Sequence, residues 1–358
     1  MNKNFYCLGL MSGTSMDGID GSIIYSDGVD NFEVIENFYY KYENNFNNKL
    51  SDLKNKIISD KDLKYYEKDI NELNREITVL HAEFSNSILK NYKNKVDLVG
   101  FHGQTIYHNS EEKLTRQLGD GKLLSQLLKK KIVYNFREND IKNNGNGAPL
   151  APIYHSAIAK KIKKNNIIFL NIGGISNETF IDKNNKVSAK DLGPGNCLSD
   201  IWIRQKTKNR YDENGQIARS GKVNKILLNQ SLDIFFNNKI NDKRSYDIND
   251  FDISTFRGLT LEDGAATIIE YTVEIITNKI SSKNIICCGG GRKNKYFIDR
   301  LENKINKKIL NIDEYKFDGD FIESQAFAYL AIRSYLNLPI SFPATTGCRK
   351  ESTGGVII

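Results

Sequence analysis

The chain has 358 residues, 39% of them hydrophobic and 27% charged, with 18 Tyr, 18 Phe, 26 Gly and only 5 Pro. That length builds about two domains with their own cores, and that composition excludes collagen-like, Pro-rich and other disordered chains. The net charge of +7 rests mostly on Lys, but the runs Lys129-Lys130-Lys131 and Lys160-Lys161-Ile162-Lys163-Lys164 lack interleaved aromatics and fall at expected helix ends, so no nucleic-acid partner is expected.

Taken in chain order, segments 5–11 and 19–25 read as strands, joined by a glycine-bearing turn short enough for an antiparallel hairpin. A third strand covers 32–40. Segment 62–92 carries Leu73, Ile77, Leu80, Phe84 and Ile88 near helical spacing, which predicts one long amphipathic helix. A buried-type strand at 96–101 ends in His102-Gly103. A helix at 122–131, a strand at 132–134 and a polar loop at 139–147 follow. The series restarts with a strand at 167–172 running into Gly173-Gly174, strands at 178–181 and 187–189, and a helix at 197–204. Thr260 is placed to cap a helix reaching 279, with Asp263 at its third position. Strand 285–288 runs into Gly289-Gly290-Gly291, ahead of a helix from 294, an amphipathic helix at 321–336 and a strand at 356–358.

This alternation predicts an α/β protein. Both halves open with strands ending in glycines and acidic residues, so the architecture is expected twice, without a sequence repeat. The division expected is 1–130, which the C-terminal tail could complete, and 131–358. No apolar run approaches the roughly 20 residues of a membrane span and no leader pattern opens the chain, so a cytoplasmic protein without a membrane partner is expected. Five cysteines with no C-x-x-C pair, and four histidines without clustering, give no metal site.

Three glycine-rich turns carry the chemistry. Gly9 to Gly18 combines glycines, hydroxyls and free amides suited to phosphate oxygens, although a tight hairpin would use the same residues; no Gly-Lys-Ser/Thr makes it a Walker loop. Asp191-Leu192-Gly193-Pro194-Gly195-Asn196 sets a carboxylate ahead of a helix N-terminus, which suits phosphoryl transfer; a turn-capping Asp191 is the plainer alternative. Gly289-Gly290-Gly291 would let a nucleotide lie on bare backbone, and close strand–helix packing explains it equally well.

Met11-Ser12-Gly13-Thr14-Ser15-Met16-Asp17-Gly18, Gly100-Phe101-His102-Gly103-Gln104-Thr105, Gly145-Asn146-Gly147-Ala148-Pro149-Leu150, Asn171 to Asn177, Asp191 to Asn196, Cys288 to Asn294 and Glu323 to Ala328, in this order and spanning essentially the whole chain, resemble the anhydro-N-acetylmuramic acid kinase family. The resemblance implies a two-domain actin-like, ribonuclease H-like ATPase fold with an interdomain cleft. It implies ATP with Mg2+ held by the phosphates and water, a sugar substrate, and a homodimer. The family opens the 1,6-anhydro ring of 1,6-anhydro-N-acetylmuramic acid with water and phosphorylates O6. By motif, Asp191 is the base and Glu323 a second carboxylate near the sugar. Gly13, Thr14, Ser15, Met16, Asp17, Gly18, Ile19 and Asp20 would bind ATP, with Gly173, Gly193, Gly195, Asn196, Gly289, Gly290, Gly291 and Asn294. His102, Gln104, Thr105, Arg137 and Asp140 would face the sugar; for Arg137 and Asp140 an ordinary crossover is the alternative.

One stretch departs from the family: Ile248 stands where an Arg is usual, which puts fine specificity in doubt. A kinase for an ordinary sugar hydroxyl is the runner-up, and a non-catalytic nucleotide-dependent binder is a reading of a different class.

Overall fold

The computed structural model describes residues 3–13, 15–237, 246 and 248–358. It divides into two units, Met1–Lys161 with Phe321–Ile358, and Ile162–Asp320. In the first, β1 (Phe5–Ser12), β2 (Gly18–Ser26) and β3 (Phe32–Lys41) form an antiparallel meander. β4 (Leu98–Asn109) and then β6 (Lys131–Tyr134) add parallel on the other side of β1, β5 (Leu114–Leu118) folds back on β4, and β12 (Val356–Ile357) pairs antiparallel with β6. The second unit repeats the plan: β7 (Ile167–Ile172), β8 (Ile175–Ile181) and β9 (Val187–Pro194) meander, while β10 (Ile285–Cys288) and β11 (Leu310–Asn311) run parallel beside β7. Each sheet thus places its third, second, first, fourth and fifth core strands in that order, the ribonuclease H-like arrangement, built twice.

The expected boundary at 130/131 differs from this division. β6 lies beyond that point yet completes the first sheet, and it offers its free edge to the tail strand β12. The tail lies in the first unit, and α5 (Glu138–Lys142), α6 (Pro152–Lys161), α12 (Ile322–Tyr335) and α13 (Pro343–Thr346) belong there too.

Strand alternation explains how the first sheet is covered. Leu8, Leu10, Ile19 and Ile23 point to one face and are buried with residues of α1 (Asn44–Lys56), α3 (Glu67–Asn91) and α4 (Gly121–Leu128). The opposite face carries Gly9 paired with Gly100 in register, a floor without side chains. Helix α12 lies on it so closely that a Cβ at Gly9 would sit 2.0 Å from Ser324 O and one at Gly100 2.4 Å from Phe327 O. This contact sets the height of the first turn of α12, where Glu323 stands. The long helix expected over 62–92 is broken at Tyr66 (φ −96°, ψ 21°), separating α2 (Asp60–Tyr65) from α3.

In the second unit, Ile168, Leu170, Ile172 and Leu192 pack with α7 (Cys197–Lys206), α8 (Gln216–Ser220), α9 (Lys225–Asn237), α10 (Leu261–Lys279) and α11 (Lys295–Ile305). Trp202 is fully buried: its Nε1 donates to Leu261 O at 2.8 Å, and a Cβ at Gly264 would sit 2.0 Å from its ring. Thr260 caps α10 as expected, its side chain accepting from Asp263 N.

His81 of α3 is fully buried; Nδ1 donates to Ile77 O at 2.8 Å and Nε2 has no partner. Burial pulls its pKa from 6.5 down to about 4. The unfolded chain therefore binds the proton first, so this contribution is complete above pH 6.5 and is lost as pH falls toward 4. A group moved that far accounts for on the order of 3 kcal/mol. His81→Leu is expected to flatten the decline of the urea midpoint between pH 6.5 and 4.5, roughly bracketing this titration; an unchanged slope would remove His81 as its source.

Candidate active site

The β1–β2 hairpin tip is a tight, braced turn. Met16 N donates to Gly13 O at 3.1 Å with Met16 at φ +54°, and Ser15 Oγ donates to Asp17 Oδ1 at 2.5 Å. Tyr42 N donates to Asp17 O (2.9 Å) and Asn47 Nδ2 to Met16 O (2.6 Å). At its base, Ser12 Oγ lies 2.7 Å from Gln104 Oε1 and 3.0 Å from Gly18 O, and accepts from Tyr42 OH at 3.1 Å. Gly18 has no room for a side chain, since a Cβ would meet Tyr40 O at 2.4 Å. Gln104 is thus tied to the hairpin and buried, Thr105 Oγ1 accepts from Gln117 Nε2 (3.2 Å), Ile19 is a core residue, and Asp20 pairs with Met11 across the strands. Thr14 lies outside the described residues. Ser12 fell within the marked turn, whereas Tyr42 and Asn47, which also brace it, went unmarked in the sequence, because their partners are about 30 residues away.

A second group stands within β4, which runs on past the strand end expected at 101; His102 sits where the register with β1 shifts. His102 Nδ1 donates to Gly103 O (2.9 Å), so Nε2 is the acceptor; Arg137 Nε and Nη2 lie 3.1 and 2.9 Å from it. Burial first, and the Arg137 charge second, hold His102 well below the usual histidine range. It is a neutral, fully engaged imidazole. Its ring lies 4.4 Å from Phe327 of α12, between centroids. On the preceding turn of that helix, Glu323 is exposed by area, yet crowding around its carboxyl raises its pKa while the Arg137 charge opposes the rise. Asp140 differs from its expected position facing the sugar: it is 1% exposed, with Oδ2 accepting from Gly147 N (2.7 Å) and Oδ1 from Thr346 Oγ1 (2.6 Å). A buried carboxylate with both oxygens engaged orders the 143–147 loop.

In the second unit Asp191 lies within β9 opposite Asn177, beside a bulge: Ser176 pairs with Gly193, which leaves Leu192 as the extra residue. Such bulges re-aim neighbouring side chains. Asp191 Oδ2 accepts from Tyr246 N at 2.9 Å. The turns Gly173-Gly174 and Gly193 to Asn196 are locked together: Gly195 N and Cys197 N donate to Gly174 O (2.9 and 3.2 Å) and Asn196 N to Gly173 O (2.8 Å). A Cβ on Gly195 would sit 2.3 Å from Gly173 O. The Asn196 N-cap amide and the first amide of α7, at Cys197, are therefore occupied by this junction. Asp200, on the same first turn, was not singled out from the sequence; burial raises its pKa to about 7 against the opposing Arg204 charge.

Gly289 takes φ +77°, with Asn171 Oδ1 2.2 Å from where a Cβ would be, and Gly291 packs against Ile172; only open space faces a Cβ at Gly290. Asn294 caps α11, accepting from Phe297 N at 3.0 Å. Arg292, a side chain 3% exposed, ties this turn to the 313–320 loop through Asp313 (3.1 Å), Asp320 (2.6 Å) and Asp318 (3.6 Å). Among the described residues no group of three His, Cys, Asp or Glu is placed to hold a metal ion, and no helix is long and apolar enough to cross a membrane.

The family model for anhydro-N-acetylmuramic acid kinase matches residues 5–358. A protein of that name from Pelagibacter ubique is 52% identical over 373 residues, covering 100% of this chain and 99% of its own. One from Brucella canis is 37% identical over 363 residues, covering 98% and 97%. Component A of the (R)-2-hydroxyglutaryl-CoA dehydratase of Acidaminococcus fermentans superposes over 93% of this chain and 99% of its own, with a TM-score of 0.46 at 13% identity, a likeness too low to carry an argument.

Proposed function

Because the chain belongs to the anhydro-N-acetylmuramic acid kinase family, we propose that it uses ATP and water to convert 1,6-anhydro-N-acetylmuramic acid into N-acetylmuramic acid 6-phosphate and ADP, a step of peptidoglycan recycling. Such a substrate has no proton on O6, so a base acting on that oxygen would have nothing to remove. Asp191 instead takes a proton from the water that adds to C1. The C1–O6 bond breaks, and O6 takes the γ-phosphoryl group as ADP leaves. The observation that carries this reading is the Asp191 carboxylate beside the β9 bulge, with Oδ2 accepting from the Tyr246 amide.

His102, with both nitrogens engaged, orients the sugar side and does not exchange protons. Arg137 and Glu323 donate to and accept from sugar groups, with Gln104 and Thr105 at the edge of that set. The hairpin from Gly13 to Asp20 holds phosphates; Gly173, Gly193, Gly195 and Asn196 shape the phosphate side of the second unit, and Gly289 to Gly291 with Asn294 the adenosine side. Mg2+ is proposed to arrive on the nucleotide phosphates; no step here is routed through it. A cytoplasmic homodimer is part of the proposal.

The test is ADP release with 1,6-anhydro-N-acetylmuramic acid and, separately, with N-acetylmuramic acid and ordinary hexoses. Release confined to the anhydro sugar supports the reading. Turnover of hexoses alone would replace it with an ordinary sugar kinase.

A further inference from the structure

Arg137 lies between β6 and α5. Its guanidinium is directed by His102 Nε2 on one side and by Gly147 O on the other, which accepts from Nη1 at 2.7 Å. Of the five N–H groups of an arginine, about two remain for a ligand, so their direction depends on where Gly147 O is held.

That oxygen belongs to a glycine at φ +73°. The N–H of Gly147 donates to Asp140 Oδ2 at 2.7 Å, and Asp140 Oδ1 accepts from Thr346 Oγ1 at 2.6 Å. Asp140 is 1% exposed and Thr346 0%. Gly145 gives the carboxylate its room, since a Cβ there would sit 2.1 Å from Oδ2. The same chain segment grips the loop by its backbone: Asn146 N donates to Thr346 O (2.8 Å) and Arg349 N to Asn143 O (3.0 Å). The contacts run without a gap from α13 to His102 in the middle of β4.

We propose that Thr346 and Asp140 are positioning residues for the sugar: they hold Gly147 O, which aims the Arg137 guanidinium, so the C-terminal segment governs sugar affinity and leaves nucleotide affinity alone. This rests on the reading above that Arg137 contacts the sugar.

The experiment uses the full chain and calorimetric binding of 1,6-anhydro-N-acetylmuramic acid and, separately, of a non-hydrolysable ATP analogue. Thr346→Val is expected to weaken sugar binding about tenfold, the effect of losing one hydrogen bond to a charged group, with analogue binding unchanged. Thr346→Ser restores it. In an Arg137→Lys background, Thr346→Val adds nothing, because the effect passes through the guanidinium. Equal weakening of both ligands, no weakening, or the same loss in the Arg137→Lys background would overturn the proposal. Arg137→Lys with undiminished sugar affinity would remove the sugar reading of Arg137 and the proposal with it; a loss there without one in Thr346→Val overturns the positioning role alone. Asp140→Asn, held to the same criteria, serves if Thr346→Val does not fold.

Discussion

Asp191→Asn is expected to abolish sugar-dependent ADP release while binding of an ATP analogue persists. The carboxamide has the volume of the carboxylate, and its oxygen can still accept from Tyr246 N, a contact of 2.9 Å in the native chain. What it lacks is a basic oxygen for the proton of the attacking water. A positioned base contributes on the order of 10²–10⁴ in rate, and here the nucleophile is water itself, so the loss is expected at the upper end of that range. Turnover is read by a coupled ADP assay and affinity by calorimetry. Loss of both together would make Asp191 a structural residue of the β9 bulge. Turnover retained within tenfold would assign the base elsewhere, a tenfold change being only about 1.4 kcal/mol of barrier.

The second large effect is on stability. Gly9→Ala and Gly100→Ala each put a methyl group into a backbone carbonyl of α12, at 2.0 Å from Ser324 O and 2.4 Å from Phe327 O. Neither neighbour is a flexible side-chain end, so sheet and helix must separate. Overpacking of this kind costs about 1–3 kcal/mol and occasionally more, and the upper end is expected here. Because α12 carries Glu323 on its first turn and Phe327 against His102, the same separation should weaken sugar binding. Gly258→Ala, where nothing lies within 4 Å of a Cβ, is the control and should leave the urea midpoint in place. Equal midpoints for Gly9→Ala and Gly258→Ala, followed by circular dichroism, would show that α12 does not lie on the sheet as described.

Much of the fold was legible because it depends on local signals. The β1–β2 hairpin follows from a short glycine turn between two apolar runs, α10 from its Thr260 cap and α12 from its amphipathic spacing; that Asn294 caps α11 appears only in the structure. The boundary was not legible in the same way. β6 pairs with a strand some thirty residues earlier and with the last residues of the chain, and no local pattern announces a partner at that distance. The break at Tyr66 was hidden because the residues around it keep helical spacing.

The site divided along the same line. Glycine turns announced themselves by composition, and the structure gives several of them a packing reason as well: Gly195 against Gly173, Gly291 against Ile172, Gly18 against Tyr40. Asp140 was marked for its charge, but its two hydrogen bonds and its burial could be known only once Thr346 was seen beside it. Arg292 was missed as a staple for a related reason: its three aspartates follow it by 21 to 28 residues, in a loop without a motif of its own.

The central claim is hydrolytic opening of the anhydro ring coupled to phosphorylation of O6, and it is tested most directly by mass spectrometry of the product formed from ATP, Mg2+, 1,6-anhydro-N-acetylmuramic acid and ¹⁸O-labelled water, sampled early enough to exclude anomeric exchange. The account predicts a 6-phosphosugar carrying ¹⁸O at C1, formed in step with ADP. A phosphorylated product that retains the anhydro ring, or one without ¹⁸O at C1, would contradict it.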